Sequence, residues 1–191
     1  MEGFSGTGKT TLARALERQG WLRLQESAHA VPKDVPVADR ADTAADYSLL
    51  GATLVYSSII SKSRSTRDIV SEGYLLSDLA YARIRYDLKK SAAYPSMLAI
   101  CRDILADPSM RPDLYILLEA DSETIDDRQR TKDEREKNVT EFFRTRYYSA
   151  IAEIHEELGE KNVERVHTDA DLRLTLENIL VVLKRRNVIL S

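Results

Sequence analysis

The feature that most restricts this chain is Gly3-Phe4-Ser5-Gly6-Thr7-Gly8-Lys9-Thr10, which fits G-x-x-x-x-G-K-[ST] and runs directly into a helical pattern. Glycines let the backbone curl until several N–H groups face one point, and a helix N-terminus adds the positive end of its dipole there. Ser5, Gly6, Thr7, Gly8, Lys9, Thr10 and Thr11 are therefore the candidate cradle for the phosphates of a nucleotide. Lys9 is suited to reach the outer phosphates as a point charge, and the Thr10 hydroxyl to ligate Mg²⁺. A bare glycine-rich turn explains the pattern less well, because the segment sits before a helix and inside an alternation of strand and helix patterns.

Such a loop hangs from the end of a central strand, yet only Met1 and Glu2 precede it, and an ordinary strand takes about five or six residues. The first, central strand is thus expected to be truncated. The first explanation is a recorded start inside the gene; a lost strand, or replacement by the apolar tail Asn187-Val188-Ile189-Leu190, are the others.

Period and punctuation give the remaining organisation. Helices are expected over about 10–19, 43–61, 76–89, 95–106 and 122–130, with Pro95 acceptable in a first turn. Strands are expected at 21–25, 68–71, 114–118 and 163–167, the third being an almost continuous apolar run of the kind buried on both faces of a parallel sheet. The stretch 27–42, with Pro32 and Pro36, reads as loop. A long helix carrying Phe142, Phe143, Tyr147, Ile151, Ile154 and Leu158 on or near one face ends at Gly159, and Asp171 is a candidate cap for a last helix bearing Leu172, Leu176, Ile179 and Leu183. The expected fold is α/β, a parallel sheet of about five strands flanked by helices. At roughly 150 residues per domain, the 191 residues make one domain, 1–191, with a charged and mobile lid over about 128–138.

Composition removes several function classes. A net charge of −3 gives no global footprint for a nucleic-acid polymer or an anionic membrane. The single cysteine, Cys101, cannot close an internal disulfide or build a cysteine zinc site, which suits a cytoplasmic location. No apolar run approaches the roughly 18 residues of a membrane span. His29, His155 and His167 are too dispersed for a metal triad.

Several segments together resemble the thymidylate kinase and deoxynucleoside kinase group of P-loop kinases. Glu2-Gly3 resembles the start of that family's loop, and Leu24-Gln25-Glu26 the end of its second strand, where an acidic residue faces the acceptor, although Ser27 stands where proline is usual. Ser71-Glu72-Gly73-Tyr74, with Ser77 and Leu79-Ala80-Tyr81, resembles the Asp-Arg-Tyr segment. Arg111-Pro112-Asp113-Leu114, then Glu123 and Arg128, is similar to the strand and helix that lead into the lid. The resemblance implies the P-loop NTPase fold, ATP and Mg²⁺ as cofactors, and transfer of the γ-phosphoryl group to a nucleotide or nucleoside. It makes Lys9, Glu72 and Arg128 the candidate catalytic residues and Glu26, Tyr74, Ser77, Tyr81 and Arg83 candidate substrate residues. The partner is then a small molecule, with a homodimer allowed for.

One departure bears on the acceptor. Gly73 removes the arginine that contacts an acceptor phosphate in the monophosphate kinases, which leaves Glu72 better suited to take a proton from a hydroxyl or to stand near Mg²⁺. Arg64, Arg67, Arg83 and Arg85 are the arginines available to compensate. Tyr74, Ser77 and Tyr81, at helical spacing, serve either an acceptor pocket, with Tyr81 stacking on a base, or the core. Arg128, Arg130, Lys132 and Arg135 are candidates to fold over ATP, or a solvated charged loop. Asp169 is either a neighbour of adenine or a helix cap. Gly6 to Leu12 followed by Glu26-Ser27-Ala28-His29 also resembles kinases related to nicotinamide riboside kinase. The rival class is a P-loop module that binds ATP to regulate a partner. No Asn-Lys-x-Asp guanine motif is present, and Leu114 to Glu119 only approximates the apolar strand ending in Asp-Glu of an AAA-type ATPase.

Overall fold

The computed structural model of the chain describes residues 1–37, 40–130, 141–168 and 171–188. Its sheet is organised by the apolar run expected near residue 116. Strand β4 (Tyr115–Glu119) sends Tyr115 and Leu117 into one hydrophobic cluster and Ile116 and Leu118 into another, so period-two alternation feeds two cores at once. It pairs in parallel with β1 (Glu2–Gly3) on one side and β5 (Val163–His167) on the other. A second parallel pair joins β2 (Leu22–Leu24) to β3 (Ile69–Ser71). The two pairings meet at residue 1: the Met1 ammonium donates to the Ser71 carbonyl at 2.6 Å, and the Gly73 amide donates to the Met1 carbonyl at 2.7 Å. All strands are parallel, and the spatial order is β2, β3, β1, β4, β5.

On one face, helices α1 (Lys9–Glu17) and α8 (Leu172–Arg185) cover Val70, Ile116, Leu118 and Val166 with Leu12, Leu16, Ile179 and Leu183. On the other, α4 (Leu75–Asp87), α5 (Tyr94–Ala106) and α7 (Glu141–Leu158) build the larger core around Leu79, Met97, Leu117 and Tyr147. Helix α3 (Thr43–Ser63) packs along α4, and its N-cap Asp42 accepts the Ala45 amide. Asp171 caps α8 through the Arg173 amide, whereas Asp169 lies outside the described residues.

The sequence expectations fail at particular points. Ser27–Ala30 forms a short helix, α2, within the stretch read as loop, because Glu26 turns the chain and the His29 amide closes on the Glu26 carbonyl. Phe142 is 52% exposed while Phe143 is buried, so the buried stripe of α7 starts one residue later. The central strand is short as expected, but Glu2 does form part of it: Glu2 and Gly3 register with Leu117 and Leu118. Beneath Met1, between β3 and β4, lies a cavity of about 490 Å³ lined by residues such as Ile69, Val70, Leu114, Ile116 and Val188. Val188 thus reaches its edge, while Ile189 and Leu190 lie outside the described residues. The cavity opens at the sheet end opposite the loop motif. No helix among the described residues is long and apolar enough to cross a membrane.

Candidate active site

In a parallel sheet the carboxyl ends of the strands and the N-termini of the following helices share one edge. Here that edge holds the glycine loop after β1, Glu26 after β2, Glu72 after β3 and Thr168 after β5. Gly6 and Gly8 take left-handed backbone, with φ of 95° and 93°, and their amides have no partner among the described residues. Gly8 is also the residue that starts α1, so the curl and the helix dipole act on one spot. Thr7 is fully buried and closes the loop from within, its hydroxyl and amide both donating to the Phe4 carbonyl. Lys9 is 5% exposed and its Nζ curls back over the loop, 2.6 Å from the Gly3 carbonyl and 3.3 Å from that of Phe4. Among the described residues its side-chain bonds go to backbone carbonyls, with no carboxylate paired to it. Ser5 and Gly8 are partly exposed and Thr11 is exposed, as residues at the rim of such a cradle must be.

Thr10 and Glu72 meet across the first turn of α1. The Thr10 hydroxyl donates to Glu72 Oε2 at 2.5 Å, while Oε1 accepts from Arg23 Nε. A hydroxyl beside a carboxylate is an oxygen donor pair of the kind that suits Mg²⁺, so the residues fit the metal that the motif implies. Helix α6 (Ser122–Arg130) grips the loop from the far side. Arg128 Nη1 lies 3.4 Å from the Gly6 carbonyl, its Nη2 donates to the Thr168 carbonyl at 2.6 Å, and Gln129 Nε2 donates to the Ser5 carbonyl at 3.0 Å. Arg128 therefore stands against the loop. Lys132 and Arg135 of the expected lid lie outside the described residues.

The candidate acceptor residues divide. Gly73 (φ 74°) brings the chain close enough that an added Cβ would stand 3.7 Å from Glu26 Cγ and 3.6 Å from Ser77, so Glu26, Gly73 and Ser77 share one corner. Tyr81 lies alongside, its ring 6.5 Å from Phe4 and 6.2 Å from Phe143, partly exposed. Burial pushes its phenol above the usual range, helped by the charge on Glu26. Ser77 faces inward: its hydroxyl bonds to Glu2 and, at 2.6 Å, to Tyr147. Tyr74 does not reach this corner. Its hydroxyl is 2.5 Å from Ser57 and 3.3 Å from the Met110 carbonyl, and burial raises its pKa to about 12. Arg83 is a second correction. It points to the opposite side of α4, among Asp87, Glu153, Glu157 and Tyr94, because three carboxylates on α4 and α7 hold it there.

Of the other arginines weighed as compensation, two are committed too. Arg85 forms a buried pair with Asp46, its guanidinium 5.8 Å from the Tyr81 ring, and Arg64 bonds to Pro108, Arg111 and Asp113 at the far end of the sheet. Arg67 is exposed and lines the cavity below Met1.

Four residues of this region escape a sequence reading. Glu2, 1% exposed, accepts the amides of Tyr74 at 3.0 Å and Ser77 at 3.2 Å and so anchors the N-terminus of α4 under the loop. Asp78 accepts from Ser27 Oγ at 2.7 Å and from Thr53, and burial raises its pKa to about 7 despite those bonds. Arg23 and Gln129 complete the set. A carboxylate inside an apolar helical stretch was the available signal for Asp78; Arg23 offers none, since one charge in a short strand reads as solvated.

A family model described as an AAA domain matches residues 1–165. Among solved structures, thymidylate kinase from Candida albicans is similar with a TM-score of 0.72 at 16% identity, over 97% of this chain and 90% of that one. Deoxyadenosine kinase from M. mycoides with bound dATP gives 0.71 at 16% identity over 96% of each chain, and with bound dCTP 0.66 at 18% over 98% and 97%. No curated protein matches. At these identities the likeness establishes the fold, the α/β P-loop fold that the resemblance implied.

Proposed function

The chain belongs to this AAA-domain family, and from that premise we propose that it is an ATP-dependent kinase passing the γ-phosphoryl group to a nucleoside or nucleotide in the cytoplasm. The observation that carries the reading is the contact of Thr10 with Glu72: the loop that binds a donor and the carboxylate after β3 meet beside the corner formed by Glu26, Gly73 and Tyr81. A site with a donor cradle on one side and a separate polar corner on the other is built for two substrates. ATP is the donor that the loop and Arg128 fit. Lys9 leaves the Gly3 and Phe4 carbonyls to meet the outer phosphates, and Arg128 adds a second cation at the loop. Thr10, with Glu72 behind it, would hold Mg²⁺, which would supply charge neutralisation on the phosphates.

The acceptor class follows from charge. Glu26, Glu72 and Asp78 supply carboxylates here; Arg23 and Arg85 are paired with Glu72 and Asp46, and Arg64, Arg67 and Arg83 lie elsewhere. A phosphate acceptor is poorly served by such a corner; a hydroxyl, with a carboxylate to take its proton, is well served. We therefore favour a nucleoside over a monophosphate. Nicotinamide riboside belongs to the same chemical class and keeps its place as an acceptor, through Glu26-Ser27-Ala28-His29.

The regulatory ATPase is the second reading, since AAA domains in general hydrolyse ATP with an acidic residue at the end of the apolar strand. The carboxylate at that position, Glu119, is turned to Arg165 at 2.6 Å and His167 at 3.5 Å on β5, away from Thr10. This favours the kinase. ATP consumption measured with deoxynucleosides, thymidine monophosphate and nicotinamide riboside tests both: acceptor-dependent turnover supports the kinase, and equal consumption without any acceptor supports the ATPase.

A further inference from the structure

Strand β2 carries a side chain that reaches the centre of the site. The backbone sets it there: Arg23 registers with Val70, and the Glu72 amide donates to the Leu24 carbonyl at 2.9 Å, so Glu72 leaves β3 directly beside β2. Arg23 then runs along α1, with Nε on Glu72 Oε1 and Nη1 3.4 Å from Glu17 Oε2. Side-chain exposure is 10% for Arg23 and 2% for Glu72, so water does little to screen the pair. The other oxygen of Glu72 faces Thr10. One carboxylate is thus shared, with a guanidinium on one oxygen and the loop hydroxyl on the other.

Two consequences follow from that sharing. The terminal torsion of a glutamate is broad and roughly two-fold, so nothing in the side chain itself fixes which way its plane faces. The bond from Arg23 fixes it and keeps Oε2 on the loop side. The same guanidinium also neutralises a carboxylate beside the hydroxyl where a divalent cation would bind, and like charges repel at this range. We propose that Arg23 is the positioning residue of Glu72 and an internal competitor of the divalent cation at Thr10, so that its charge sets how much Mg²⁺ the site requires. The proposal deepens the kinase reading, and its metal arm stands without that reading.

The test uses the full chain and three variants, Arg23→Ala, Arg23→Gln and Arg23→Lys. Binding of ADP is titrated calorimetrically across a series of MgCl₂ concentrations with no acceptor present. Loss of the charge in the Ala and Gln variants is expected to lower the half-saturating Mg²⁺ by about 5-fold or more, and Arg23→Lys to stay near the wild type. In turnover, kcat of Arg23→Ala should fall by about 10-fold with KM for ATP little changed, the mark of lost positioning rather than lost binding; Arg23→Lys should recover part of it. If Arg23→Ala does not fold, as removal of one partner from a nearly buried pair allows, the Gln and Lys variants carry the comparison. Unchanged Mg²⁺ dependence in both neutral variants overturns the competitor role. Unchanged kcat in them overturns the positioning role and leaves the pair as a structural bridge. A wild type that phosphorylates no acceptor defeats the kinase reading instead, and the Mg²⁺ series still decides the metal arm.

Discussion

The two halves of the site are made in different ways. The donor half of the proposed site is compact in sequence: Ser5 to Thr11 make the loop, with the Lys9 ammonium and the Thr10 hydroxyl at its end. Its groups are largely backbone, held by a loop that closes on itself through Thr7. The proposed acceptor half is drawn from Glu26, Gly73, Ser77, Asp78 and Tyr81, on three elements, and is held by buried side chains such as Glu2 and Tyr147. A donor site made of amides tolerates a change of protein context, because every residue type offers the same amide. An acceptor site made of side chains can change its specificity one residue at a time.

The sharpest break in the comparison comes from Lys9→Ala. One side chain there supplies what no amide can, a full positive charge, so phosphoryl transfer should drop by about 10³-fold or more, together with weakened ATP binding by calorimetry. Unchanged turnover would refute the kinase reading. Glu72→Gln comes next and joins the halves. With a nucleoside the single-turnover rate should fall by about 10²- to 10⁴-fold while ATP affinity changes little. A wild type that prefers the monophosphate, with a mutant barely affected, would show that Gly73 does not mark a hydroxyl acceptor.

Asp78 sharpens the acceptor side through pH. Its folded pKa, about 7 against an ordinary 3.8, is set first by burial, with Glu2 and Glu26 adding to the rise. A carboxyl that holds its proton more tightly when folded contributes full stability below its unfolded pKa and loses it as the pH climbs through the folded one. The wild type should therefore lose part of its thermal stability between about pH 4 and pH 8. Asp78→Asn, always neutral, should flatten that slope in melts followed by circular dichroism, and an identical slope in both proteins would remove Asp78 as its source. The smallest effect is expected at Arg83, whose partners are partly exposed. Arg83→Ala should cost less than about 1 kcal/mol in urea unfolding and leave KM for the acceptor unchanged; a raised KM would return Arg83 to the substrate residues.

The parallel α/β fold was legible in the sequence, because its signals are periodic and local. The run at 115–118 had to be a strand covered on both faces, and the helices ended near their expected limits. The cap at Asp171 and the helix after Lys9 were equally plain. Misreadings fell where a side chain's partner lies far along the chain. Tyr74, Ser77 and Tyr81 share a helical spacing, yet Tyr74 is drawn to Ser57, Ser77 to Glu2, and only Tyr81 keeps a partly open ring.

What the sequence determined by itself is the curled loop before α1, since a glycine loop that curls and a helix that follows need only neighbouring residues to form. The tertiary structure alone decided which charges meet. Arg83 and Arg23 look alike in the sequence, but one is held by Asp87, Glu153 and Glu157 on an outer helix face and the other by Glu72 at the loop. Charge pairing acts through space at a few ångströms, whereas sequence separation spans 49 residues from Arg23 to Glu72, so only the register of β2 against β3 could bring them together.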